Sequence, residues 1–165
     1  MKQVFGQRRR GEGMVNLFFG LAAIASAQSA GAEVSSNKAD VEAVRAAVLD
    51  YVESLYKVRP DLVAHSVSPD LAKLGHHRDK DGRSKWPSMS YSELYSLAAK
   101  YNATGRVPAD AAKKIQVLDV QPNIANAKLE AHWGIDYLLL TKGADGRWQI
   151  RQVLWEEVPR DKKAK

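Results

Sequence analysis

Apolar residues follow two different periods along this chain, and the change of period divides it. Val41, Val44, Val48, Val52 and Leu55 recur at spacings of three and four, which places them on one face of an amphipathic helix running to about Tyr56. Asn37, with Asp40 three residues on, is its expected N-cap. Arg59-Pro60 ends it, because the ring of Pro60 disfavours helical geometry at the residue before it. Pro60 then opens a short second helix, PDLVAHSV, closed by Ser68-Pro69.

Beyond it, a strand around Leu74–Arg78, a turn at DKDG and a return strand towards Trp86 make a hairpin. Ser90-Tyr91-Ser92-Glu93 is a capping box, with Met89 and Leu94 placed as a hydrophobic staple. It starts a third helix that buries Leu94, Leu97, Ala98 and Tyr101 and stops before Gly105. After Pro108 the period drops to two. KIQVLDV, ANAKLEAHW, IDYLLLT and RWQIRQVLW are rich in β-branched, aromatic and alternating positions. Pro122-Asn123 and GADG separate pairs of strands, and the run from Ile124 to Thr141 is too long for one strand, so a turn or sharp bend belongs at Trp133-Gly134.

The order of helix, short helix, hairpin, helix and three or four antiparallel strands defines an α+β domain with helices segregated to one side of an antiparallel sheet. A curled sheet with a long helix across its concave face leaves a cavity at the open end.

Composition changes this picture at the ends of the chain only. The first 32 residues combine Lys2, Arg8, Arg9 and Arg10 with the short apolar run VNLFFGLAAIA. Small-residue cleavage patterns then end at Ala27 and Ala32. This is expected to be a secretory signal, cleaved to leave a periplasmic or secreted domain over residues 33–159 without a stable membrane anchor, and a basic disordered tail over 160–165. With no cysteine, an exported domain must be held by packing rather than disulfides. The net charge of +6 sits in the signal and the tail. The body between them carries 17 basic and 17 acidic groups, so a folded basic groove for nucleic acid is not expected.

The densest candidate chemistry is LGHHRDKDG, residues 74–82. Neighbouring strand side chains point to opposite faces, so His76 and His77 cannot share one metal without a bulge. With Leu74 taken as the core residue, His76 points inward and His77 faces solvent beside Lys73. Asp79 and Asp81 suit the turn. No further histidine or carboxylate spacing completes a metal set, and neither a metal nor a cofactor is expected. His76 then serves the pocket as a polar lining group, a ligand contact or an acid–base group.

Asp136 lies in the apolar string IDYLLL, where a charge is costly unless paired. Alternation groups it with Leu138 and Leu140 but leaves open which face is inner. Facing a cavity it becomes a candidate general base; at the strand's start it is a turn or rim carboxylate. His132, across the Gly134 turn, is placed to orient with Asp136 as a proton-transfer couple, or to sit exposed beside the turn. Trp86, Trp133, Trp148 and Trp155 are core, interface or ligand-stacking rings. No nucleophile elbow, phosphate loop, zinc spacing or dinucleotide fingerprint is present.

SPDLAKLG, IQVLDV, IDYLLL and DGRWQIRQVLW, in this order across roughly residues 40–157, resemble the nuclear transport factor 2-like (cystatin-like α+β) superfamily. Within it they are most similar to the putative lumazine-binding proteins. The resemblance implies a cone-shaped, curved antiparallel sheet wrapped around the N-terminal helix, with two further helices, a small-molecule pocket at the open end, and frequent homodimers. It implies no single reaction, since the superfamily holds isomerases, dehydratases, cyclases and non-catalytic modules. The loop before IDYLLL is shortened to His-Trp-Gly, and the histidine pair matches no family motif. The expected function is therefore a small-molecule binder whose pocket is lined by His76, Tyr95, Tyr101, Asp136, Tyr137 and Trp155. Two alternatives stand beside it: an isomerase or dehydratase with Asp136 or His76 as base, and a non-catalytic accessory dimer with a filled cone.

Overall fold

In a computed structural model of the protein, the described residues run from 23 to 157. The basic segment and most of the apolar run of the expected signal lie outside them, as does the tail 160–165. The chain divides into two units, residues 1–33 and 34–165. The described part of the first is helical and forms the start of the first helix; the sheet, core and cavity described below belong to the second.

Helix α1 spans Ala23–Tyr56. Asn37 does not cap it, because the helix runs through that position without interruption. Asp40 does something else: its carboxylate accepts the Lys142 ammonium at 2.7 Å and the Trp148 indole N–H at 2.9 Å. The expected apolar stripe is buried from Val44 through Val48 and Val52 to Leu55, and it also contains Ala47 and Tyr51. At the helix end the Arg59 amide donates to the Ser54 carbonyl at 2.9 Å around Val58, whose φ is 56°. That left-handed closing position usually belongs to glycine.

Helix α2 (Pro60–Ser66) passes directly into β1 (Val67–Arg78), which starts well before Leu74. The register slips between Val67 and Ala72, which lets Pro69 sit in a bulge where it owes the ladder no N–H. The DKDG turn returns the chain to β2 (Ser84–Lys85), and β3 (Ser88–Met89) also pairs β1. Helix α3 (Tyr91–Ala98) carries the capping box, with Glu93 and Ser90 satisfying each other's backbone amides.

Four strands follow: β4 (Lys113–Val120), β5 (Ile124–Ala131), β6 (Gly134–Lys142) and β7 (Trp148–Glu157). The sheet order is β2-β1-β7-β6-β5-β4. It is curved, unclosed and mixed rather than wholly antiparallel, because β7 lies parallel to β1. A strand reached from β1 through helix α3 and a three-stranded meander returns in the same direction as β1. The concave face contributes Leu129, Leu138, Leu140, Ile150 and Val153 to one core with Val44, Val48, Tyr51 and Val52 of α1. Burying each such side chain contributes about 1.5–3 kcal/mol.

Candidate functional site

Strand register decides which side chains meet inside the cone. Leu129, Asp136, Trp155 and Gly75 stand side by side across β5, β6, β7 and β1. One step deeper the row is Ala127, Leu138, Val153 and Lys73. One step towards the open end, Gly134 pairs with Glu157, and His77 follows Gly75 on the same face of β1.

This reverses the expected assignment of β1. Leu74 is 42% exposed and Lys73 only 7%, so Lys73, Gly75 and His77 face inward while Leu74 and His76 face outward. Lys73 is tolerated in the core because it has a partner. Its ammonium donates to the Tyr51 hydroxyl at 2.5 Å and lies 3.9 Å from Asp136. Tyr51 donates in turn to Asp136 Oδ2 at 3.0 Å, and the Trp133 indole N–H donates to Oδ1 at 3.0 Å. The alternation of β6 is thereby resolved: Asp136 is inner, with Leu138 and Leu140, and is fully buried.

Burial pushes the Lys73 amine below its ordinary range, against the pull of the Asp136 charge. Burial likewise pushes the Tyr51 phenol well up, and the negative charge of Asp136 adds to it. Tyr51 thus remains a neutral hydroxyl that relays between an ammonium and a carboxylate.

Gly75 makes room for the next layer. The Trp155 indole nitrogen lies 1.8 Å from where a Gly75 side-chain carbon would be. The indole therefore lies over bare backbone, with the Lys73 ammonium 5.7 Å from its ring and the His77 ring parallel to it at 6.4 Å. Gly134 is required for a similar reason: a Cβ there would sit 2.0 Å from the Glu156 carbonyl oxygen. That close approach turns the chain sharply and aims Trp133 inward. Tyr51, Tyr56 and Tyr101 each meet the Trp133 ring nearly edge-on, at 6.1, 5.6 and 5.8 Å. Such pairs contribute about 0.5–1.5 kcal/mol each beyond area burial.

Over this aromatic floor lies a cavity of 650 Å³, lined by His77, Pro87, Tyr101, Arg106, Val107, His132, Trp133, Trp155 and Glu157. The loop bearing Arg106 is anchored by Asn102, which accepts the Val107 amide at 2.8 Å and donates to the Tyr56 carbonyl at 2.8 Å. The Tyr56 hydroxyl accepts the His132 amide at 2.6 Å and donates to the Ala112 carbonyl at 2.9 Å. Burial pushes the Tyr101 phenol up while the nearby positive charge of Arg106 opposes the shift.

Of the residues singled out in the sequence, Tyr101, His132 and Trp155 line this cavity. Asp136 lies behind Trp133 and is off its surface. His132 makes no couple with Asp136, whose oxygens are taken by Tyr51 and Trp133. His76 packs on Trp86 at 4.7 Å, with its Nδ1 3.5 Å from Glu156, and lines a separate polar hollow around Arg78, Asp79 and Lys80. Tyr95 and Tyr137 are 41% and 53% exposed and away from the cavity. His77, Arg106 and Glu157 were not anticipated as lining, Trp133 only as one of several core, interface or stacking rings, and neither Lys73 nor Tyr51 as a partner of Asp136. Among the described residues no group of three or more His, Asp or Glu is arranged to hold a metal ion, and no helix is long and apolar enough to cross a membrane.

Three helices on a curved, unclosed mixed sheet define a nuclear transport factor 2-like α+β domain. A nuclear transport factor 2-like protein of unknown function from Silicibacter pomeroyi is 19% identical, with a TM-score of 0.60, covering 73% of this chain and 98% of that one. One from Shewanella baltica is 16% identical with a TM-score of 0.57, covering 73% and 94%. A ketosteroid isomerase-like protein from Erwinia carotovora atroseptica is 18% identical with a TM-score of 0.52, covering 73% and 97%. At these identities the likeness concerns the fold alone. No curated protein matches the chain. The chain belongs to the family described as "Putative lumazine-binding", whose match spans residues 39–156.

Proposed function

We propose that this is an exported binding protein that holds a small, partly apolar molecule in the open end of its cone. The observation that carries this reading is the 650 Å³ cavity floored by Tyr101, Trp133 and Trp155. Its size falls within the span of about 300–1,000 Å³ usual for small-molecule sites, and its wall joins aromatic faces to a few polar groups. The family's description also supports a small-molecule ligand. Catalysis by Asp136 is less well supported, because that carboxylate is fully buried and already holds two donors.

The outer face of the sheet supports association with a second copy. Leu74, Leu154 and Tyr137 form one continuous row across β1, β7 and β6, and they are 42%, 50% and 53% exposed. The basic, apolar and small-residue sequence of the first 32 residues supports export. Mass analysis of the N-terminus of periplasmic protein tests that part: a start at residue 28 or 33 is expected, and an intact Met1 contradicts it.

Ligand binding is tested by a thermal-shift screen of small aromatic compounds against the wild type and Val107→Trp, which fills the cavity. Compounds that raise Tm in the wild type are expected to lose their effect in the variant. Equal effects on both proteins place binding elsewhere.

A further inference from the structure

Donors and acceptors around the cavity are unequal in number, and the imbalance identifies the chemistry of the molecule that fits. Flat apolar surface comes from Trp133, Trp155 and Tyr101, with the His77 ring stacked near Trp155 and its plane 5° from parallel. The hydrogen-bonding groups on the wall are the Arg106 guanidinium, the His77 and His132 rings, the Tyr101 hydroxyl and the Glu157 carboxylate. Arginine offers five donors and accepts nothing, so Glu157 is the one acceptor-only side chain facing at least three donor-bearing ones.

Arg106 is also free to serve a ligand. Among the described residues its guanidinium makes no ion pair, although fifteen ion pairs occur elsewhere in the structure. It is held over the cavity by its backbone. The Gly105 amide donates to the Asn102 carbonyl at 2.9 Å, the Val107 amide donates to the Asn102 side chain at 2.8 Å, and Asn102 is tied to α1 through the Tyr56 carbonyl. Gly105, at φ 68°, makes the turn that brings the chain to this point. A cation whose attachment is fixed at two flanking residues, beside stacked aromatic faces, is suited to an anionic edge of a flat molecule.

We propose that the cavity selects planar aromatic carboxylates, with the ring against Trp133 and Trp155 and the carboxylate on Arg106. Glu157 sits among the same walls and disfavours a second negative charge, so the ligand is a monoanion rather than a dianion. This rests on the ligand-binding reading above and adds a charge requirement to it.

The test uses isothermal titration of the purified protein with 2-naphthoate and with its neutral isostere 2-naphthamide. The carboxylate is expected to bind about tenfold more tightly than the amide, since it brings a full negative charge and two acceptor oxygens to the guanidinium where the amide brings one neutral acceptor. Arg106→Gln is expected to reduce that preference to within about twofold, by weakening the carboxylate more than the amide. Arg106 is exposed, and far-UV circular dichroism of the variant checks that it is folded. Glu157→Gln is expected to strengthen naphthoate binding and to admit 2,6-naphthalenedicarboxylate. Equal binding of amide and carboxylate overturns the charge requirement and leaves the cavity reading standing, as does a preference that survives in Arg106→Gln. Failure of both compounds to bind overturns the planar-aromatic proposal, whereas the ligand-binding reading stands or falls on the thermal-shift comparison with Val107→Trp.

Discussion

Replacing Asp136 by Asn keeps the shape of the side chain and an acceptor for the Trp133 indole but removes the counter-charge of Lys73. The two charged groups lie 3.9 Å apart in the wild type, both buried. At an effective dielectric of about 20 their attraction is about 4 kcal/mol. Removing one member of such a pair typically costs about 3–5 kcal/mol, because the other is left charged and dry or must lose its proton. Asp136→Asn is therefore expected to lose about 3 kcal/mol near neutral pH. Lys73→Met should lose a similar amount, leaving the carboxylate without its cation. The double variant should lose clearly less than the sum, with a coupling of about 2 kcal/mol or more.

The pH dependence has a definite sign. Burial holds the Lys73 amine below its unfolded value, so between those two values the unfolded chain binds the extra proton. Stability from this group is lowest below the folded pKa and rises as pH climbs through the window towards the unfolded lysine value. In Asp136→Asn the folded amine falls further, the window widens downward, and the deficit shrinks at alkaline pH. Urea unfolding followed by tryptophan fluorescence and far-UV circular dichroism, at pH about 7 and about 9.5, measures both effects. A variant within about 0.5 kcal/mol of wild type at neutral pH, or singles that simply add, refutes the paired-charge account of the core.

Gly75→Ala puts a methyl group into the space of the Trp155 indole, and is expected to cost about 1–3 kcal/mol and to change the near-ultraviolet circular dichroism. Asp40→Ala removes the acceptor of Lys142 and Trp148 and should cost about 1 kcal/mol in urea unfolding. Those bonds hold the Asp40 carboxyl below its ordinary value, so its contribution is present above the unfolded pKa and lost as pH falls through the folded one; the variant should lack that acid-side loss. Val58→Gly relieves a left-handed β-branched residue and is expected to raise stability by about 1 kcal/mol. Leu154→Glu places a charge in the middle of the exposed apolar row; if that row joins two copies as proposed, sedimentation is expected to show a dimer for the wild type and a monomer for the variant, and equal mass for both contradicts it.

The long-period helix, the capping box at Ser90 and the strand pairs after Pro108 were legible in the sequence because each is a local pattern. Inner and outer faces were legible only where apolar residues marked them. On β1 the mark misled: Leu74 is exposed and Lys73 buried, since the deciding contacts are to Tyr51 and Asp136, 22 and 63 positions away. A lysine in step with Leu71, and an aspartate in an apolar strand, each implied a buried partner of opposite charge; reading them together would have turned His77 inward instead of His76. Trp133 and Arg106 carried no periodic signal, because a turn and a loop position them. The parallel pairing of β7 with β1 is a long-range closure that no local pattern records.

The four tryptophans allow the central claim to be tested directly. Trp133 and Trp155 line the cavity, whereas Trp86 is exposed near His76 and Trp148 is buried against Asp40. In a protein labelled with ¹⁵N at the indole nitrogens, titration with a compound selected by thermal shift should move the Trp133 and Trp155 resonances and leave Trp148 in place. Shifts confined to Trp86 and Trp148, with Trp133 and Trp155 unmoved, would contradict a ligand site in the open end of the cone.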